Sequence, residues 1–218
     1  MKRRLPLVLA ALAATIAAPV SAQPSAPVAE APAGPIDFTV HGDAFAVTAP
    51  AGYCTPTGAR ATQMDTANSW DSQNLTPVSL IRCGTEGEDY ILVKTPRLDE
   101  SIDLSRADFL GVMKDQFTAE LIEQGLATGS RDLSKGSGIE VKIGGDSFGY
   151  RGADERCVYL GGSLEAAGAD GRKVAGQVGV CITLVRGRLL TVNAYDFGPG
   201  ADAAAMMARA REMAATIT

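Results

Sequence analysis

Apolar and polar residues alternate with a period of two through Ile36-Asp37-Phe38-Thr39-Val40 and again through Ala44-Phe45-Ala46-Val47-Thr48. His41-Gly42-Asp43 supplies a turn between them, so the pattern predicts a β-hairpin leading into Pro50-Ala51-Gly52-Tyr53. After a long polar connection, Val78 to Cys83 and Tyr90 to Lys94 read as a second hairpin around Gly84 to Asp89. The period then lengthens. Ser105 is a good N-cap with Asp108 three residues on, Leu104 is placed to staple onto Phe109, and Leu110, Met113, Phe117 and Leu121 form one stripe. That spacing predicts a single helix ending before Gly125 as its C-cap. From Ile139 to Ile143 the period returns to two, and it continues through Cys157 to Leu160, Val178 to Ile182 and Leu189 to Phe197. A closing helix follows Pro199-Gly200, with Met206, Met207, Ala210, Met213, Ala214 and Ile217 on one side. These elements define an α+β chain, an antiparallel sheet with helices packed on it, and no internal repeat or second domain boundary interrupts them.

The chain before Ile36 reads differently. Lys2, Arg3 and Arg4 precede an apolar run from Leu5 to Ala18, and Val20-Ser21-Ala22 is a small-residue cleavage site. Residues 1–22 therefore read as a signal peptide, too short and too interrupted by Pro6 and Pro19 for a spanning helix. No cysteine stands at the cleavage site, so no lipid anchor is expected. Residues 23–35, with Pro24, Pro27, Pro32 and Pro35 among small residues, read as a disordered leader, and residues 36–218 as one α+β domain. The expected location is the bacterial periplasm, with secretion beyond the cell as the alternative. Signal removal takes three of the 20 basic residues and none of the 25 acidic ones, leaving a formal balance of −8. That sign disfavours nucleic acid and anionic membrane as partners.

Four cysteines in an exported chain predict two disulfides, and three pairings are formally open. Strand logic ranks them. A hairpin centred near Ala169 sets Cys157 opposite Cys181, Val158 opposite Val180 and Leu160 opposite Val178, so the apolar pairs share one face. Cys54 and Cys83 are then the second pair. A four-thiolate zinc site and a thioredoxin-like redox centre both need closely spaced Cys pairs, which are absent. Between the last two strands, Val185-Arg186-Gly187 predicts a three-residue bulged turn, opposing Ile182 with Leu190 and Val180 with Val192.

The order of opening hairpin, helix, antiparallel meander and closing helix resembles the PsbP/Mog-like superfamily. Phe38 to Val47, Pro50-Ala51-Gly52-Tyr53, the Ser105 helix and Leu189 to Ile217 carry the resemblance. It implies an α/β/α sandwich and a role in binding or assembly, since that superfamily includes lumenal photosystem accessory subunits, a Ran-binding protein and exported bacterial proteins. The four cysteines are not a general mark of it.

Candidate chemistry is sparse, and the expectation is a protein that is not an enzyme. Gly145-Asp146-Ser147-Phe148-Gly149 matches the nucleophile-elbow pattern, but Tyr150 to Leu160 reads as turn and strand where a helix is needed, and the sole His41 lies far upstream. A hydrolase using Ser147, or a Ser-Lys variant with Lys135 or Lys142, is thus the alternative reading. His41 reads as an exposed turn residue. Glu86, Glu88 and Asp89, and likewise Asp99, Glu100 and Asp103, lack the EF-hand loop pattern. Glycines 136, 138, 144, 145 and 149 match no phosphate-loop or dinucleotide template, and no cofactor is expected. Asn74-Leu75-Thr76 is a glycosylation sequon that a bacterial envelope would leave unused.

The long connection from Thr55 to Thr76 is where specificity is expected. Trp70, Asp71, Gln73 and Asn74 combine apolar contact with hydrogen-bonding groups and are the candidate partner-binding residues. The competing reading makes Thr62 to Gln73 a short helix whose Trp70 seals the core. The leading expectation is an exported noncatalytic module that binds another envelope protein, with a purely structural envelope protein as the remaining reading and the oligomeric state open.

Overall fold

The opening alternation forms β1 (Pro35–Val40) and β2 (Asp43–Thr48), paired antiparallel with Phe38 opposite Phe45. The turn between them is two residues long, and His41 and Gly42 both have positive φ, 50° and 90°. Phe38, Val40, Phe45 and Val47 are buried, while alternate positions face outward. The computed structural model describes residues 34–218 except 86, 87, 139, 146, 169, 170 and 172. The expected signal peptide and almost all of the leader lie outside the described residues; Pro35, the leader's last position, already belongs to β1.

The remaining elements are β3 (Tyr53–Cys54), α1 (Gly58–Ser69), β4 (Asn74–Arg82), β5 (Asp89–Pro96), α2 (Arg106–Met113), α3 (Ala119–Ser137), β6 (Val141–Gly144), β7 (Gly149–Ala153), β8 (Val158–Gly168), β9 (Lys173–Val185), β10 (Arg188–Asp196) and α4 (Ala203–Ala214). Eight strands form one antiparallel sheet in the order β3-β4-β5-β10-β9-β8-β6, with β7 also paired to β8. Both faces are covered. On one, Met64 of α1, Phe109, Leu110 and Met113 of α2, and Ile122, Leu126 and Leu133 of α3 pack on Leu92, Leu160, Val180 and Ile182. On the other, the β1–β2 hairpin and Met206, Ala210 and Met213 of α4 pack on Leu80, Ile91, Leu190 and Val192. The architecture is therefore an α/β/α sandwich with a hairpin beside the closing helix. Among the described residues no helix is long and apolar enough to cross a membrane.

Four local expectations are corrected. The single helix after Ser105 is two. Ser105 does cap α2, accepting from the Asp108 N–H at 3.1 Å, but Leu104 is left exposed and the helix stops at Met113. Thr118 then caps α3 by accepting from the Leu121 N–H at 3.2 Å. Gly125 is buried inside α3, and the left-handed cap is Gly138 with φ 72°.

The alternative helix of the Thr55–Thr76 connection exists as α1, beginning at Gly58 and ending four positions short of Gln73. Strand β4 starts at Asn74 instead of Val78, absorbing Pro77 at a register shift between Leu75 and Val78.

The β8–β9 register is shifted by two residues. Val158 faces Ile182, Leu160 faces Val180, and Cys181 faces Tyr159. Because both partners keep their parity, the apolar pairs still share a face and Cys157, just before β8, still reaches Cys181 diagonally, Cα to Cα 5.3 Å. Cys54 and Cys83 form the second disulfide, also with 5.3 Å between Cα atoms.

The β9–β10 turn has two residues, not three: Val185 pairs with Arg188, and Arg186 and Gly187 both have positive φ, 48° and 77°. The expected opposition of apolar with apolar carried no weight there. Both faces of these strands are buried, and Thr183, Thr191 and Asn193 are themselves inside.

Candidate functional site

The segment after α1 turns on Asp71. Its Oδ1 accepts from the Gln73 N–H at 3.0 Å and the Asn74 N–H at 2.9 Å, which closes an Asx turn at the entry to β4. The Asn74 side chain donates to both carboxylate oxygens, and Lys94 Nζ donates to Oδ2 at 2.8 Å. Both side chains of the Asp71–Lys94 pair are 0% exposed. Lys94 lies on β5 opposite Thr191 of β10, whose hydroxyl accepts from Asn193 Nδ2 at 2.9 Å. Tyr195, buried on the same strand, has its phenol pushed above its ordinary range by burial and then by the Asp71 carboxylate.

This buried polar cluster fixes what lies outside it. The Arg97 N–H donates to the Gln73 carbonyl at 2.9 Å, one step past the Asn74–Pro96 pair of the β4–β5 ladder, and Arg97 Nε donates to the Asp71 carbonyl at 2.9 Å. Ser72 donates through its N–H and its hydroxyl to Asp132 Oδ2 of α3, at 3.0 and 2.8 Å. The Trp70 indole rests on Gly136 of α3, where a Cβ would overlap the ring, so that position accepts only glycine at this spacing. The result is a rim of half-buried Trp70, exposed Ser72 and Gln73, and exposed Arg97 and Leu98.

Of the four residues singled out in the sequence, Gln73 stands at the surface, Trp70 is half-buried and packs against the core as the competing reading has it, and Asp71 and Asn74 are turned inward, where the Asp71 carboxylate accepts from Lys94, the Asn74 side chain and the Gln73 and Asn74 N–H groups. Lys94, Arg97 and Leu98 were missed. Lys94 was legible in principle, since it is the one charged residue in the buried run Tyr90 to Pro96 and a buried ammonium demands a carboxylate.

Other sequence candidates are placed as follows. His41 is half-buried instead of exposed, its Nε2 lying 2.9 Å from the Pro96 carbonyl oxygen, which ties the β1–β2 turn to the end of β5. Ser147 is exposed, with Oγ 2.7 Å from Ser163 Oγ and accepting from the Ser163 N–H at 2.9 Å. It is followed by β7, so the strand–turn–helix context of a nucleophile elbow is not present. Asp146 and Glu86 lie outside the described residues. Asp89 accepts from Arg209 at 2.8 Å and from the Tyr53 hydroxyl, and Asp99 accepts from Arg188 at 2.6 Å. Among the described residues no group of three or more His, Cys, Asp or Glu side chains is arranged to hold a metal.

A shallow recess of about 200 Å³ lies beside α4, lined by Arg151, Asp154, Tyr159, Met207, Ala208 and Arg211. Burial raises the Asp154 carboxyl, but Arg211 Nε at 2.7 Å, the N–H groups of Cys157 and Arg156 at 2.8 Å each and the Tyr159 hydroxyl at 2.8 Å outweigh it and hold the group at about 2. Burial and the same carboxylate push the Tyr159 phenol above its ordinary range. The Tyr53–Asp89–Arg209 group repeats this arrangement, with Tyr53 raised by burial and by Asp89. Each group fastens α4 beside one disulfide.

No protein-family model matches the chain, and no curated protein does. Among solved structures, the chain is similar to cyanobacterial PsbP (CyanoP) from Synechocystis sp. PCC 6803 at 14% identity, covering 92% of this chain and 99% of that one with a TM-score of 0.40. It is also similar to a point mutant of the protein Mog1 at 11% identity, covering 85% and 96% respectively with a TM-score of 0.34. No residue role is carried from either structure to this chain.

Proposed function

We propose that the chain is an exported, noncatalytic binding or assembly module of the bacterial envelope, and that it engages its partner through the rim formed by Trp70, Ser72, Gln73, Arg97 and Leu98. The observation that carries this reading is the buried Asp71–Lys94 pair directly beneath that rim. A dehydrated ion pair adds little stability over apolar packing of the same volume, and its best-attested use is to specify one arrangement. Here the arrangement it specifies is a segment that presents a half-buried indole, two polar side chains, an arginine and a leucine, the mixture found at protein interfaces. A rim already ordered loses less conformational entropy on association. Export is supported by the basic, apolar and small-residue pattern of residues 1–22 and by two formed disulfides, which persist in oxidising compartments.

Affinity capture from the native envelope fraction is the test. The wild-type protein is expected to recover a saturable partner, and Gln73→Arg and Trp70→Ala to lose it while keeping the far-UV circular dichroism and the cooperative unfolding of the folded chain. Equal recovery by wild type and both variants would remove the rim from the interface, and no specific recovery by any form would remove the binding reading.

A further inference from the structure

Gly161 and Gly179 stand opposite each other in the β8–β9 ladder, both buried beneath α4. Their missing side chains make a notch. A Cβ at Gly179 would lie 2.1 Å from the Met207 backbone nitrogen, and a Cβ at Gly161 would lie 2.9 Å from Met207 Sδ and 3.1 Å from its Cγ. The α4 backbone therefore rests on one glycine and the Met207 thioether on the other. Met207 also lines the shallow recess beside α4, together with Arg151, Asp154, Tyr159, Ala208 and Arg211. Strand β8 closes one side of the sulfur, and the recess opens on the other.

The other methionines among the described residues are shut in. Met64 is 7% exposed, Met113 and Met206 1% each and Met213 0%, whereas Met207 is half-buried. Methionine sulfur is oxidised reversibly to a sulfoxide, which exists as two epimers, each reduced by its own enzyme. We propose that Met207 is a site of reversible sulfur oxidation by hydroperoxides, and that the glycine notch restricts the product to one sulfoxide epimer. A sulfur lone pair attacks the terminal peroxide oxygen, the S–O bond forms as the O–O bond breaks, and the proton on the transferred oxygen passes to the leaving oxygen. Sulfur loses two electrons and the peroxide gains them, so sulfide and hydroperoxide become sulfoxide and alcohol, or water when the oxidant is hydrogen peroxide. Attack through the lone pair that faces Gly161 is blocked by the strand. The recess receives the oxygen.

The recess can also keep that oxygen without unfolding the domain. Its volume of about 200 Å³ exceeds what one oxygen atom needs. Arg151 donates through Nε to the Gly161 carbonyl and through Nη2 to the Ser147 carbonyl, and Arg211 donates through Nε to Asp154 and through Nη2 to Glu155. The Nη1 group of each arginine is left for the sulfoxide oxygen, a stronger acceptor than the thioether it replaces.

The test oxidises the folded full-length chain with dilute hydrogen peroxide and maps the added oxygen by peptide fragmentation, which separates Met207 from its neighbour Met206. Met207 is expected to react about tenfold or more faster than Met64, Met113, Met206 and Met213, with cooperative thermal unfolding retained in the product. Digested peptide from that product is then treated with methionine sulfoxide reductases of the two epimer specificities. One is expected to restore nearly all of Met207 and the other little, whereas protein oxidised in urea should need both. Ala208→Leu, which fills part of the recess, is expected to slow the reaction at Met207 about tenfold with the fold intact. Oxidation of Met64 or Met206 as fast as Met207, an even mixture of epimers from the folded chain, or loss of cooperative unfolding on oxidation overturns the proposal. An unchanged rate in folded Ala208→Leu does so too, because the oxidant would then reach the sulfur by another route.

Discussion

Lys94 and Asp71 each depend on the other in a way that neither depends on water. With both side chains at 0% exposure, removing one partner strands a charge that has no route to solvent, which costs about 3–5 kcal/mol, whereas replacing both together is far milder. Lys94→Met is expected to lose about that amount in urea unfolding, and Asp71→Asn combined with Lys94→Met to recover most of it. If the double variant is as unstable as the single one, the pair is not the term that fixes this segment. Because Trp70 is the sole tryptophan and sits at the end of the same turn, its emission follows the loss directly. Lys94→Met is expected to shift it toward that of a solvated indole before the domain unfolds globally.

At the scale of elements, α4 is held by two copies of one device, a tyrosine hydroxyl and an arginine sharing a carboxylate. Asp154 sits at about 2 when folded against about 3.9 in an unfolded chain. Its contribution is thus fully present above about pH 4 and is lost as pH falls through the folded value. Arg211 is partly exposed, so the contribution is about 1 kcal/mol after solvent screening. Tyr53 and Tyr159 are raised, so their contribution is present below the unfolded value of about 10 and is lost as pH climbs through the folded one. Asp154→Asn should flatten the acid limb of a stability–pH profile and leave a limb above about pH 10 that Tyr53, Tyr195 and the still-buried Tyr159 set; an acid limb identical to wild type would show that this latch contributes nothing. These contacts join residues far apart in the chain, and local pattern does not show them.

What the pattern did show were elements with one wet face. The β1–β2 hairpin and the closing helix are where alternation and stripe placed them. Strands β9 and β10 are buried on both faces, so polarity could not choose between a two- and a three-residue turn. The α3 stripe of Ile122, Gly125, Leu126, Gly129 and Leu133 includes Gly125, which reads as a helix end. The rim was half legible: Trp70 and Gln73 drew notice as an unusual mixture in a long connection, but Leu98 joins them only through the β4–β5 ladder.

At the scale of the whole molecule, the disulfides close loops of 29 and 24 residues, each stabilising by about 3 kcal/mol through restriction of the unfolded chain. A domain of this size has a net stability of about 5–15 kcal/mol, so the two bridges together are comparable with the entire margin. Folding is therefore coupled to compartment: the chain is expected to reach its native state where disulfides form and to remain largely unfolded in a reducing cytosol. The bridges also differ in access. Cys157 and Cys181 are fully buried beneath the hairpin and α4, whereas Cys83 is half-buried at the end of β4. Attack by a thiolate requires reach to a sulfur, so dilute thiol should open Cys54–Cys83 first, with alkylation at those two positions preceding any at Cys157 or Cys181. Simultaneous alkylation of all four would mean that reduction proceeds through global unfolding, and that α4 gives the inner bridge no separate protection.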